Sequence, residues 1–307
     1  MFGAGRTAGQ DVRMSVQPIV LVWRRQSMWS QASDRLKRRI GRSRLVALLL
    51  TIMGAVFGTV SAEVIADSVV PGRILAACAA VVLALASFAA RAAPPSLVRD
   101  WTRARSTSEA LKSDVYTYLS RTGAFRIDDR DDVVLRRLDD LSRSVGDLVR
   151  HTTGIESADR PLPDVYDVGT YFATRVEGQI TGYYRPKALL MAARVRLARR
   201  LELSLGVLAT VFGGVVAVVP AIGLSAWIGV LTTIATAIAA HAGSSRYEYQ
   251  QIEFTRTADE LERLSADYAA VGQRRLSDDE FVLACERAIS IQNEGWMAKL
   301  GNEDSEG

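Results

Sequence analysis

The 307-residue sequence predicts an all-α polytopic membrane protein, with two transmembrane helical hairpins (four spans) and cytoplasmic amphipathic helices around them. Three observations carry this. Four stretches are almost free of charge, although 23% of all residues are Asp, Glu, Lys or Arg. The stretches fall into two pairs, each joined by a short turn. Basic residues crowd the outer ends of each pair and are scarce in the turns, the pattern of hairpins whose two ends lie in the cytoplasm. Strand-like alternation occurs nowhere in the chain.

In chain order, residues 1–17 are Gly-rich and polar, lack an apolar stretch, and read as a disordered N-terminus rather than a signal peptide. Residues 18–39 form a helix leading into the first span, 45–66. At 1.5 Å per residue that span reaches about 33 Å, enough for a hydrocarbon core of about 30 Å. The second span, 74–90, is short and Ala-rich, and follows a turn at Val70, Pro71 and Gly72. Spans three and four, 203–222 and 224–242, are joined at 220–223.

Arg35, Lys37, Arg38, Arg39, Arg42 and Arg44 precede span one, and Arg91, Arg99, Arg103 and Arg105 follow span two. Lys187, Arg194, Arg196, Arg199 and Arg200 precede span three, and Arg246 follows span four. The first turn holds only Asp67 and Arg73, and the second no charge. Both termini and the long middle segment are therefore expected in the cytoplasm.

Gly54 and Gly58 make a small-xxx-small pair, and Gly206, Gly213 and Gly214 lie in span three, with Ala235 and Ala239 in span four. Such spacing permits close helix approach, either within a hairpin or between protomers. Glu63 is the one acid inside a span, near the outer turn, where water or Arg73 can satisfy it. Thr59 lies one turn earlier on the same face, so the two are candidate pore-facing positions if span one lines a pore. Cys78 and Cys285 read as buried thiols, too few for a disulfide framework.

Outside the spans, Pro94 and Pro95 end one helix, and 96–119 forms the next. Residues 129–151 read as a helix whose Val134, Leu138, Leu141, Val145 and Leu148 form a short seam, for packing within the chain or for a dimer. Gly154, Pro161 and Pro163 mark 152–164 as a linker between a first domain, 18–151, and a second, 165–300, before a disordered tail, 301–307. Helix resumes near Val168 and carries into span three, with a kink expected at Pro186. Phe254, Ala258, Leu261, Tyr268 and Val271 form an apolar stripe that Gly272 ends. Ser277 to Glu280 reads as a capping box opening a last helix that buries Phe281, Cys285, Ile289 and Trp296 and ends near Leu300.

The net charge of +4 and pI near 9.2 are accounted for by the span flanks, and no nucleic-acid-binding motif accompanies them, so no nucleic-acid partner is expected. There is no phosphate-binding Gly-x-x-x-x-Gly-Lys loop. His151 and His241 fall at helix C-termini, where the dipole suits them. Asp128, Asp129, Asp131 and Asp132 read as a solvated helix start. No catalytic, cofactor-binding or metal-binding residue is assigned, and an enzyme is the least supported class. A transporter is weakened by the parallel orientation of the hairpins and by the lack of a broken-helix ion site.

The two halves repeat each other. Trp29, Ser30, Gln31 and Ala32 precede the first hairpin, and Arg105, Glu109, Leu111 and Tyr116 follow it. Tyr183, Tyr184, Arg185, Pro186, Lys187 and Ala188 precede the second, and Arg256, Glu260, Leu261 and Tyr268 follow it. The second half adds Arg175, Val176, Glu177 and Gln179 before the hairpin and Glu294 and Trp296 at its close; the first half has Trp23 and no closing Glu-x-Trp.

On these residues the chain resembles two tandem SLATT domains, the two-transmembrane domain found beside bacterial SMODS nucleotidyltransferases and SLOG nucleotide sensors. The resemblance implies a multi-pass protein of the bacterial inner membrane. It also implies a pore-forming or membrane-perturbing effector in a nucleotide-signalling defence or conflict system. The expected partners are the lipid bilayer, further copies of the chain in a homo-oligomer, and a nucleotide-signalling protein. The alternative is a non-catalytic membrane scaffold that recruits a partner through its cytoplasmic helices.

Overall fold

The computed structural model describes residues 17–219, 225–270 and 276–302, with side chains to residue 290 in the last helix. The expected disorder of 1–16 and 303–307, the second hairpin turn, the helix stop at Gly272 and the packing of Trp296 lie outside that description. Among the described residues there is no strand.

Helix α1 (Pro18–Asp67) is 50 residues long and has two characters. Its first half buries Ile19, Val22, Trp23, Gln26, Trp29, Ser33, Leu36 and Ile40 at spacings of three and four, the signature of one packed face. Its second half, the apolar span, buries only Gly54 and Ser61. Helix α2 (Val69–Arg91) turns back along it. The turn is tighter than expected and sits at Ser68, with Val70, Pro71 and Gly72 already inside α2. Pro71 is tolerated there because a helix's first N–H groups have no intrahelical partner. Gly72 is required there, since a Cβ would meet the backbone of Ile65 at 2.8 Å (N) and 2.9 Å (Cα). The Ser61 hydroxyl donates to the Gly72 carbonyl at 2.8 Å.

Helix α3 (Pro95–Leu119) runs back along α1. Helix α4 (Arg130–Ser144) is shorter than the 129–151 expected, and Gly146–His151 follows as a 3₁₀ segment. Val134, Leu138, Val145 and Leu148 of the seam are buried against α1 and α3, so it packs within the chain. The 152–164 stretch is irregular and straps back onto α1. The Trp23 indole N–H donates to the Pro161 carbonyl at 2.9 Å, and the Arg160 guanidinium lies 4.0 Å from the Trp23 ring centroid.

The second half opens with a capped turn, α5 (Val168–Tyr171), in which the Thr170 N–H donates to Asp167 Oδ1 at 2.7 Å. The disturbance expected at Pro186 lies ahead of it, in two runs of wide π turns, Phe172–Glu177 and Ile180–Tyr184. The Arg185 N–H reaches back five residues to the Ile180 carbonyl, and Pro186, which has no N–H, follows. Helix α6 (Arg185–Val218) carries span three, α7 (Ser225–Ser245) span four, and α8 (Tyr247–Ala269) follows through Arg246 in a left-handed conformation (φ 50°). Helix α9 (Asp278–Asn302) runs slightly past the expected end, and its capping box is present: Ser277 N–H to Glu280 Oε2 at 2.8 Å and Glu280 N–H to Ser277 Oγ at 3.3 Å.

Two hydrophobic cores sit on the basic side of the spans. One joins α1, α3 and α4; the other joins residues 165–191 with α8 and α9, and takes in Tyr116 from α3. The spans themselves are open. In their most apolar windows 11%, 17%, 0% and 11% of residues are buried, so the chain presents four apolar helices long enough to cross a membrane with few of their residues fully buried. This corrects one expectation: Cys78 is exposed, whereas Cys285 is buried. An apolar helix in a water-soluble core would hide its thiol, but a spanning helix turns most of its face to lipid.

Candidate functional site

The most concentrated polar chemistry lies where α3, the π segment and α9 meet. Arg175 and Glu286 are 1% and 5% exposed. They form a bidentate pair, Nε to Oε1 and Nη2 to Oε2, both 2.9 Å. The Tyr171 hydroxyl donates to the same Oε1 at 3.0 Å. From the other half of the chain, Glu109 brings a carboxylate to 3.9 Å of Arg175 Nη2, and the guanidinium stands 4.8 Å from the Tyr116 ring centroid. One turn before Glu109, Arg105 donates to the Tyr183 hydroxyl at 3.0 Å. Arg175 Nη1 has no hydrogen-bond partner among the described residues.

Local structure explains the convergence. The π turns shift the side-chain register, so that Tyr171, Arg175 and Tyr184 all point into one core. On α9, Glu286 sits beside Cys285 and one turn after Val282, inside the apolar stripe rather than opposite it. Aromatic rings close the site: Tyr268 stacks on Phe281 at 4.2 Å, and Tyr171 meets Phe281 edge-on at 6.5 Å.

The electrostatics favour a permanent ion pair. Burial pushes the Glu286 carboxyl up; the Arg175 charge and hydrogen bonds from Arg175, Tyr171 and Ser113 outweigh it and hold the group below the ordinary range. Burial alone would lower Arg175, but Glu286 and then Glu109 raise it. Burial pushes the Tyr171 phenol and the Cys285 thiol up, so both stay protonated. The site holds two protonated weak acids and a locked salt bridge, with Lys112 beside them, its ammonium lowered by burial. Its capability is to fasten the two halves together.

A pH dependence follows. Because the folded state depresses Glu286 below its ordinary value of 4.5, the pair contributes stability above that pH and loses it as pH falls through the folded value. The unfolding temperature should drop as pH falls below 4.5. Replacing both partners, Arg175→Met with Glu286→Leu, should flatten that drop; an unchanged slope in the double variant would mean that other carboxylates set it.

The residues singled out from sequence are spread along the spans. Gly54 faces Leu83 of the same hairpin, where a Cβ would lie 2.5 Å from Leu83 Cδ2. Gly58, Gly206, Gly213 and Gly214 have nothing within 4 Å of such a Cβ. Glu63 is exposed and Thr59 half-buried. His151 accompanies Arg150 on Asp100, with Nε2 2.9 Å from Oδ2. The repeated Arg-x-x-x-Glu motif has split roles. Arg105 and Glu109 face the junction, whereas Arg256 and Glu260 are 77% and 44% exposed. Arg105, Glu109, Tyr116, Arg175, Tyr183 and Tyr184 were marked by the repeat and the resemblance; Glu286 and Tyr171 were not. Gly54→Leu should cost about 1–3 kcal/mol through overpacking, and Gly58→Leu under about 0.5 kcal/mol, read from thermal unfolding in detergent.

Residues 171–296 match the family described as SMODS and SLOG-associating 2TM effector domain 1. Residues 27–132 match a family described as a protein of unknown function, DUF4231. Each match takes in one hairpin and the helices around it. Neither a curated protein nor a solved structure matches the chain.

Proposed function

We propose that this chain, a SLATT-domain membrane protein with a domain of unknown function in its first half, acts as a pore-forming or membrane-perturbing effector of the bacterial inner membrane. Both termini and the two cores lie in the cytoplasm in this reading, and several copies assemble to make the lesion. A nucleotide-signalling partner supplies the trigger. The observation that supports it best is the contrast between closely packed cores and spans of which few residues are fully buried. Four packed helices of a single chain leave no water path between them. Spans with open faces, including Gly58, Gly213 and Gly214, leave surface for further copies. The junction of Arg175 with Glu109 and Tyr116, and of Arg105 with Tyr183, holds the resting arrangement in this reading, and a trigger must bind another arrangement better to shift it.

Ionic conductance separates the effector from the scaffold. Purified protein in planar bilayers should conduct when its partner or activating nucleotide is added, and Gly213→Leu with Gly214→Leu should reduce both crosslinked oligomer size and current. A triggered protein that stays oligomeric yet conducts nothing would move the assignment to the scaffold. For topology, a Cys78→Ala chain carrying Val70→Cys should react with an impermeant thiol reagent from outside the cell, and one carrying Ser157→Cys should not. Labelling at residue 157 from outside would overturn the orientation.

A further inference from the structure

A cleft of about 950 Å³ opens where the basic ends of all four spans come together. It is bounded by α1 just before span one, the start of α3 just after span two, α6 just before span three, and the α7–α8 junction just after span four. Four cations line it: Lys37, Arg44, Arg194 and Arg246. No Asp or Glu is among its described lining residues. The membrane-side wall is apolar, from Leu45, Leu48, Leu197, Leu201 and Ile238.

Positive charge is concentrated here at a cost. Burial lowers the Lys37 ammonium, and the nearby charges of Arg105, Lys187 and Arg194 lower it further, against the smaller opposing effect of Asp34. Arg44 crosses from α1 to the other hairpin and donates to the Ser244 carbonyl at 2.6 Å. Arg194 lies 5.3 Å from the Tyr247 ring centroid. Arg246, with φ of 50°, takes a left-handed conformation in which a side-chain-bearing residue is strained. Lys37, Arg44 and Arg194, converging on a cleft with no carboxylate among its described lining residues, suit a bound anion, and guanidinium groups suit phosphate oxygens in particular.

We propose that this cleft binds a phosphate-bearing anion, which bridges the two hairpins at the point where their spans leave the membrane. The volume lies within the range of small-molecule sites, about 300–1,000 Å³. Its position at the end of the spans, with charge on one side and Leu and Ile side chains on the other, favours an acidic phospholipid of the adjacent leaflet. Basic pockets between spans on that side of a membrane take such headgroups. A free polyphosphate from the cytoplasm carries the same recognised group. Either one would tie α1 of the first half to α6 and α7 of the second. The Arg175 junction is a separate fastening, made from protein groups alone.

The test uses the full chain in phosphatidylcholine nanodiscs. One arm titrates cardiolipin and phosphatidylglycerol into the nanodisc and counts retained lipids by native mass spectrometry. The other titrates ADP and pyrophosphate from solution and reads unfolding temperature and calorimetric binding. The wild type should retain an acidic lipid, or bind one of the soluble phosphates, saturably and more weakly as salt is raised. Lys37→Gln with Arg44→Gln and Arg194→Gln should weaken that binding at least tenfold. A charge-matched control, Arg38→Gln with Arg42→Gln and Arg196→Gln, should leave it within twofold.

If the triple variant does not fold, Arg194→Gln alone should weaken binding at least threefold. Saturable binding in the lipid arm assigns the phosphate to the membrane, and binding in the soluble arm assigns it to the cytoplasm. The proposal is overturned if neither arm binds, or if the cleft variant binds as the wild type does. Conductance is not read in this experiment, so a chain that conducts without binding an anion removes the site and leaves the effector reading in place.

Discussion

Arg175→Ala is expected to destabilise the protein by about 3–5 kcal/mol, the largest effect of any single substitution considered for this chain. The substitution strips Glu286, 5% exposed, of its bidentate partner, leaving Tyr171 and Ser113 to bond it and Lys112 as the remaining nearby cation. It also strips the cation from the Tyr116 ring and from Glu109 across the junction. Removing both charges avoids the stranded carboxylate, so Arg175→Met with Glu286→Leu should recover most of the loss. Thermal unfolding in detergent reads both, with Tyr and Trp fluorescence as an independent probe. If Arg175→Ala melts within 2 °C of the wild type, the pair does not stabilise the fold as argued.

Gly72→Ala is expected to have the second largest effect, about 2–3 kcal/mol, from a single methyl group. The added Cβ would meet the side chain of Ile65 and, at 2.8 and 2.9 Å, its backbone N and Cα. A rotamer change can move a side chain, but here the helix backbones themselves must separate. That would also lengthen the Ser61 bond to the Gly72 carbonyl, which is 2.8 Å and buried. Gly54 offers the contrast, since there the obstacle is the flexible end of Leu83. Gly72→Ala should therefore lower the unfolding temperature more than Gly54→Ala; the reverse order would mean that α1 and α2 pack differently near Ser68.

Much of the architecture was legible because helices and spans write their own period into the sequence. The four apolar helices follow from charge-free runs, the α9 start from Ser277 and Glu280, and the packed stripe of α8 from Phe254, Ala258 and Leu261. The hairpin turn was misplaced because Pro and Gly usually signal a break, whereas Pro71 and Gly72 here begin a helix. Cys78 was misread because apolar surroundings imply burial only when the solvent is water.

The junction was less visible, for a different reason. A charged residue on an amphipathic helix is ordinarily solvated, and nothing in the sequence pairs Glu286 with Arg175 across 111 positions. The usable signal was its register. Phe281, Val282, Cys285 and Ile289 define a buried face, and Glu286 falls within it. The internal repeat pointed the wrong way at one place. Arg105 and Glu109 turn to the junction, but their counterparts Arg256 and Glu260 face outward, because the second half supplies the π segment that the first half's motif packs against.

The central claim is that the spans of several copies open the membrane on a trigger. Its most direct test is membrane potential, recorded with dye uptake, in cells that express the chain with its native neighbouring genes under phage challenge. The account predicts an intact potential before challenge and collapse with dye entry after it, both abolished by Gly213→Leu with Gly214→Leu at equal protein abundance. Challenged cells that keep their potential while the protein is present and folded would contradict it.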